Sequence, residues 1–326
     1  MKYDIDAPVI KDVFDSTHWV IRDGFVFTSF GEPHNVYNAI VLRNPSTAYA
    51  ASPCFPFSER SLEDHIQIIN QWNIKKAFVF AESLDFLLSC PSLQELNIIP
   101  SNNATPDVFD YSVLNKMPQL IRLSCATEPS DFTSFTFPID YSSMQNLEHL
   151  FVCDSNHKNY WTLHNLKYLH ISGNVDYPDV SFLQDPSHIE NFGIWFCKMR
   201  SLKGLHAFKR LNNLSLEYNR SLQSIEQISL CANTLEHLRI HNCPKIEDFS
   251  FLAELRNLKS LWLEGKNSIP SLSFLQNMPN LQKLIIKMNV LDGDLSLCQR
   301  IPYVVCQNKR HYNLKNEDLP KLKPAL

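Results

Sequence analysis

Histidine, cysteine and clustered carboxylates are the side chains here that could do chemistry, and the spacing of each set argues against it. His237 and His241 stand four residues apart, roughly 13 Å along a strand, too far for one ion to bridge. His149 and His170 are diagonal neighbours in the pattern set out below, with Cys153 the one thiol near enough to join them, short of a full ligand set. The nine cysteines are spread singly, with no CxxC pair, as reduced, buried thiols of a cytoplasmic protein would be. No GxSxG, HExxH, P-loop or glycine-rich phosphate motif occurs. Asp4, Asp6, Asp12, Asp15 and Asp23 lack the glycine and spacing of a calcium loop and read as a solvated face. The expectation is a non-enzymatic protein with no metal and no cofactor.

What positions side chains in this chain is the pattern L-x-x-L-x-[L/I/V]. It reads LQELNI from Leu93, LEHLFV from Leu147, LKYLHI from Leu166, LNNLSL from Leu211, LEHLRI from Leu235, LKSLWL from Leu258 and LQKLII from Leu281. Degenerate copies begin at Leu120 and Ile189, and the intervals are 27, 27, 19, 23, 22, 24, 23 and 23. Weakened copies extend the array at Ile74 and Ile301. Each unit predicts a short strand whose leucines point inward and whose x residues point out. Apolar pairs such as Phe86-Leu87, Phe182-Leu183, Phe251-Leu252 and Phe274-Leu275 recur ahead of the units and are expected to fill the back of each coil. A third column holds Asn174, Cys197, Asn219, Cys243 and Asn289, placed to serve backbone groups left unpaired where the chain leaves the strand. Lys266 breaks that column. Cys125 and Cys306 take inward strand positions.

These residues match L-x-x-L-x-L-x-x-[N/C]-x-L, and over about residues 74–308 the chain resembles the leucine-rich repeat superfamily, most closely its short, 22–24-residue class, of the bacterial or the SDS22-like type. The resemblance implies an α/β solenoid, a horseshoe with a parallel β-sheet on the concave face and short turns behind. It says little of function, because the superfamily hosts unrelated roles. Some bacterial relatives carry a ubiquitin-ligase domain after the repeats; here too few residues follow the last strand for one.

The expected organisation is a β-rich segment and capping helix over residues 1–73, repeats over 74–300, and a closing strand and cap over 301–326. Asp23-Gly24 signals a hairpin within Trp19–Phe30, and Tyr37–Arg43 a third strand. Ser61 and Asp64 predict a helix N-terminus, with Leu62, Ile66, Ile69 and Trp72 as its apolar face. A formal net charge of -4 does not call for nucleic acid, no apolar run is long enough for a membrane span, and no signal peptide is visible.

Register then lists the outward positions. Glu95, Asn97, Ile99, Arg122, Ser124 and Ala126 are plain, whereas the stretch from His149 to Trp262 concentrates aromatic, His and Arg side chains, which protein interfaces use as anchors. The candidate partner-binding residues are His149, Phe151, Tyr168, His170, Trp195, Glu217, Tyr218, His237, Arg239, His241, Trp262 and Glu264, with Phe151, His170 and Trp195 expected in one patch. The reading is a protein-binding module, such as an inhibitor, immunity factor or adaptor, with a protein partner of unstated identity. The alternative is an enzyme or regulator whose activity lies in residues 1–60 and whose repeats recruit substrate; self-assembly through the repeats is a third reading.

Overall fold

The computed structural model describes residues 19–28, 39–43, 58–100, 109–125, 138–152, 157–173 and 177–322. Asp4, Asp6, Asp12, Asp15, Ala126, Cys153 and Asn174, for which the sequence raised expectations, lie outside them. The described residues divide into two units, 19–166 and 167–322.

In the first unit a hairpin opens the sheet. β1 (Trp19–Arg22) and β2 (Phe25–Thr28) pair antiparallel, and Asp23 and Gly24 between them both take positive φ, 52° and 79°, as a tight two-residue hairpin turn requires. β3 (Ala39–Arg43) pairs antiparallel with β2 and parallel with β4 (Lys76–Ala81). β5 (Glu95–Pro100), β6 (Arg122–Ser124) and β8 (His149–Val152) follow in parallel, while β7 (Ile139–Asp140) pairs with β9 (His157–Lys158) apart from the main sheet. The described part of residues 1–60 is therefore an antiparallel extension of the repeat sheet, which joins the first repeat strand through β3.

The helix α1 (Leu62–Gln71) starts where the sequence places it. Ser61 Oγ accepts from the Asp64 amide and the Asp64 carboxylate accepts from the Ser61 amide, a complete capping box. Its buried stripe differs from the expected one: His65 and Ile69 are buried, whereas Leu62 and Trp72 stay exposed. The helix is turned by aromatic contacts with the hairpin, His65 against Phe25 edge-on at 5.2 Å and Trp72 stacked on Phe27 at 5.7 Å.

A second difference concerns the outward positions of β2–β5. The pattern expects Asn97 and Ile99 on a solvent face, but both are buried. Their neighbours on that side are Val26, Ala39, Val41, Phe78 and Phe80, which with Ile99 form an apolar cluster. This end of the sheet is thus buried on both faces.

The second unit holds seven strands among its described residues, all parallel: β10 (Tyr168–Ser172), β11 (Asn191–Trp195), β12 (Asn213–Glu217), β13 (His237–His241), β14 (Ser260–Ile269), β15 (Lys283–Val290) and β16 (Tyr303–Cys306). Residue pairs such as Leu169↔Phe192, Leu214↔Leu238 and Leu261↔Leu284 keep one register through the strand cores, with one shift between Glu264 and Ser268 in β14. Their inward side chains are buried, and so are Leu205, Leu252 and Leu275 on the 3₁₀ turns behind, each such burial contributing about 1.5–3 kcal/mol.

Three polar columns recur along the coils, two bonding coil to coil and one starting the back turns. In the anticipated one, Asn219 accepts from the Cys197 amide at 2.9 Å and donates to the Ile194 carbonyl at 2.7 Å. The Cys197 and Cys243 thiols donate to the Ile171 and Leu216 carbonyls. Where Lys266 interrupts it, Asn267 donates to the Cys243, Pro244 and Ile246 carbonyls one position later, at a register shift in β14. Asn289 instead continues in β15, opposite Ser268. The other two columns carry no strand periodicity. Ten residues ahead of the lead position, Ser83, Asp110, Asp179, Ser201, Asp248 and Ser271 each accept the amide two residues on and start the back turn. Just before the lead leucine, Asn146, Asn165, Asn257 and Asn280 donate to a carbonyl of the preceding coil.

The last strand is covered. Lys321 bridges antiparallel to Tyr303, with the Val304 amide on the Pro320 carbonyl at 2.9 Å. The Tyr312 hydroxyl accepts from the Val290 amide and donates to the Met288 carbonyl.

Replacing Asn219 with Ala leaves the Cys197 amide and the Ile194 carbonyl buried without partners. The expected loss is about 1–3 kcal/mol, read in urea as a lower midpoint at unchanged slope.

Candidate functional site

On the face of β10–β15 that carries the x residues, here the variable face, neighbouring strands bring polar and aromatic side chains into one connected layer. Glu217 at the end of β12 is its hub. Its carboxylate accepts from Ser215 Oγ at 2.8 Å, pairs with Arg239 Nη2 at 3.2 Å and meets His241 Nδ1 at 3.2 Å. Arg239 lies over the Trp262 ring, 4.1 Å from its centroid, a contact worth about 0.5–2 kcal/mol. The Trp262 indole N–H donates to Glu264 at 2.9 Å, and Lys287 pairs with the same carboxylate at 3.2 Å while lying 5.5 Å from the Trp262 ring centre. His241 Nε2 is 3.9 Å from Glu264 and takes a contact from Asn242 Nδ2 at 2.9 Å. Burial pushes the Glu264 carboxyl up, but the Trp262 N–H, Lys287 and His241 outweigh it and hold the group below its ordinary range.

The layer continues through the Trp195 indole, which donates to Ser215 Oγ at 3.4 Å, to His170, edge-on to Trp195 at 3.9 Å. Gly193 sits opposite His170 in the register, and a Cβ there would lie 2.3 Å from His170 Nδ1. Glycine is thus what lets the imidazole lie flat across β11. Burial drives the pKa of His170 down to about 3, so the ring is neutral at any ordinary pH.

Of the residues singled out in the sequence, His170, Trp195, Glu217, Tyr218, Arg239, His241, Trp262 and Glu264 come together. His237 lies at the opposite end of β13, 3.9 Å from Glu236, its pKa lowered by burial against the opposing pull of that carboxylate. Tyr168 opens β10 and is half-buried. His149 and Phe151 belong to β8 in the other unit, where His149 Nδ1 is 3.2 Å from Arg122 Nη2. Lys287 and Ser215 are outward positions whose ion-pair and hydrogen-bond roles no strand pattern marks. Among the described residues no group of three or more His, Cys, Asp or Glu is placed to hold a metal ion. No described helix is long and apolar enough to cross a membrane. Seven described cysteines are free and buried, and burial raises the Cys197 thiol to about 12 and the Cys231 and Cys243 thiols to about 11, which leaves them poor nucleophiles.

Immediately after each strand, one residue takes a left-handed backbone: Gly173 (φ 94°), Phe196 (56°), Tyr218 (56°) and Asn242 (52°). Each donates its amide to a carbonyl of the next strand, of Trp195, Glu217, His241 and Glu264 respectively, at 2.8–3.0 Å. Glycine and asparagine suit this conformation, whereas bulky residues are strained in it by about 1–3 kcal/mol each. Phe196 and Tyr218 nonetheless stand there 40% and 37% exposed, their rings stacked at 4.7 Å and 4°. Tyr218 also meets His241 at 4.6 Å, which ties this rim to the charged layer.

Parallel strands in constant register, coil after coil, with 3₁₀ turns behind, match known structures of one kind. The fold is a leucine-rich repeat solenoid. The functional domain of InlJ from Listeria monocytogenes, described as including a cysteine ladder, is similar at a TM-score of 0.52 and 18% identity, covering 70% of this chain and 46% of that one. This chain thus spans about half of the InlJ structure. An internalin from Listeria monocytogenes, inlF, gives 0.48 at 16% identity over 75% of this chain and 70% of that one. The leucine-rich repeat protein LIC12759 of Leptospira interrogans gives 0.46 at 13% over 79% and 60%. No family model matches the sequence, and comparison with curated proteins finds no match.

Burial also lowers the pKa of His157, to about 4. Both His157 and His170 are depressed in the folded state, so the unfolded chain binds protons first as pH falls. Stability is full above the unfolded value near 6.5 and declines below it, by about 2 kcal/mol per residue at pH 5. Urea midpoints at pH 7.5 and 5 are expected to differ accordingly, with a smaller difference in His170→Gln.

Proposed function

We propose that this protein is a non-enzymatic module that binds a protein partner on the variable face of its repeats, the concave side in the geometry the repeat pattern implies. The role is that of an inhibitor, immunity factor or adaptor. The observation that carries the reading is the layer of Glu217, Arg239, His241, Trp262, Glu264 and Lys287. The inward leucines and the polar columns already hold the coils, so this layer is not needed to stack them. Indole and guanidinium groups, here packed on one another, are the side chains enriched among interface hot spots. Tyr168 and His237 extend the binding surface in this reading. The buried, unpaired thiols support a reducing compartment, the cytoplasm.

The experiment is affinity capture from native extract by immobilised protein. Trp195→Ala with Trp262→Ala is expected to keep the far-ultraviolet circular dichroism spectrum and a cooperative melt. Capture of the partner is expected to fall about tenfold or more, the scale of one interface hot spot. Undiminished capture by that folded variant overturns the reading.

A further inference from the structure

The left-handed column carries more than the layer beside it. At one backbone position repeated through successive coils, Gly173 and Asn242 meet the conformation without strain, yet between them stand Phe196 and Tyr218. These two rings leave a large part of their surface in solvent, so core packing does not account for their presence. Gly173, next in the column, sets no side chain against the outer face of Phe196.

Two residues beyond each ring, again at equivalent positions, stand Lys198 and Arg220, with Arg200 close by; all three are exposed. None of them is in an ion pair among the described residues. Residues 195–203 and 218–225 contain no acid, and Glu217 between them is buried and engaged with Ser215, Arg239 and His241. This rim therefore offers an aromatic shelf lined by unneutralised positive charge.

We propose that this rim, from Phe196 to Arg220, seats an acidic peptide segment of the partner that carries an aromatic side chain. The aromatic anchor packs on the exposed ring surface beside Gly173, and the flanking carboxylates face Lys198, Arg200 and Arg220. The proposal rests on the variable face being a protein-binding surface, and it names the chemistry of what reaches that surface at its edge. A peptide fits better than a single-stranded nucleic acid. The two rings are closed on one another at stacking distance, which leaves no gap for a base between them.

The test uses the whole chain and fluorescein-labelled synthetic peptides of alternating Glu and Asp around a central Trp. Companion peptides carry Ala in place of Trp or Lys in place of the acids, and labelled oligothymidylate is the nucleic-acid probe. In fluorescence anisotropy the acidic Trp peptide is expected to bind about tenfold more tightly than either companion, and more weakly as salt is raised. Phe196→Gly with Tyr218→Gly, and separately Lys198→Glu with Arg220→Glu, should each weaken it about tenfold. Glycine suits the left-handed backbone, so the first variant should melt no lower than the parent, which separates lost binding from lost folding. Each of the following overturns the proposal: no binding of the acidic Trp peptide at millimolar concentration, equal binding of the Lys peptide, unchanged binding by both rim variants, or tighter binding of oligothymidylate. Trp195→Ala with Trp262→Ala reports separately on the variable face. If that variant loses partner capture while the rim variants keep it, the rim proposal fails and the face reading stands.

Discussion

Parallel strands held at constant register are the constraint on which the second unit depends. Each strand's backbone groups are satisfied only by the next coil, and the exit from each strand repeats the demand: the amide of Gly173, Phe196, Tyr218 or Asn242 must find a carbonyl of the following strand. An unmet backbone group in this interior would cost about as much as a lost hydrogen bond. The register is therefore held through the core of each strand, and the segments behind the sheet, with the shift inside β14, absorb the variation in coil length. Because the register is fixed, outward side chains fall into rows, and residues more than twenty positions apart in sequence, such as Glu217 and His241, meet within hydrogen-bonding distance.

That alignment gives the variable face its character. Glu217 is a nearly buried carboxylate, and burying a charge is unfavourable unless partners surround it. Arg239, His241 and Ser215 do so from the same or the adjacent strand. Trp262 joins the charges rather than standing apart from them, through its ring face to Arg239 and its N–H to Glu264. The result is a half-buried, cross-braced surface whose side chains are already fixed in place, so that ordering them on contact with a partner costs little entropy.

The leucine spacing made the strands of both units legible, and Asp23-Gly24 and Ser61-x-x-Asp64 made the hairpin and the helix start legible, because each of these is set by local backbone preference. The inward columns and the Asn219–Cys197 relation were readable for the same reason: a repeat displays its own register. What was not readable depended on contacts between segments. The turn of α1 is set by Phe25 and Phe27, far away in sequence. Asn97 and Ile99 of β5 read as solvent-facing by alternation, yet Ile99 closes into a second core with Phe78, Phe80 and the hairpin strands. Asn267 replaces the expected column residue only because β14 carries extra residues, an insertion visible once the strands are paired. The Asp and Ser that start the back turns keep a regular ten-residue offset but stand outside the apolar periodicity that marks the strands.

The edge of β16 carries a consequence of its own. An exposed parallel strand is a template for any other strand that drifts past, and sheet proteins that leave one open are prone to aggregate edge to edge. Here the segment from Pro320 to Leu322 runs back along that edge, taking the Val304 amide and giving an amide to the Pro302 carbonyl, with the Lys321 ammonium on the Val304 carbonyl. The ammonium places a hydrated positive charge where an incoming strand would have to desolvate it. A sheet built by adding one identical rung after another thus ends in a rung that refuses the next.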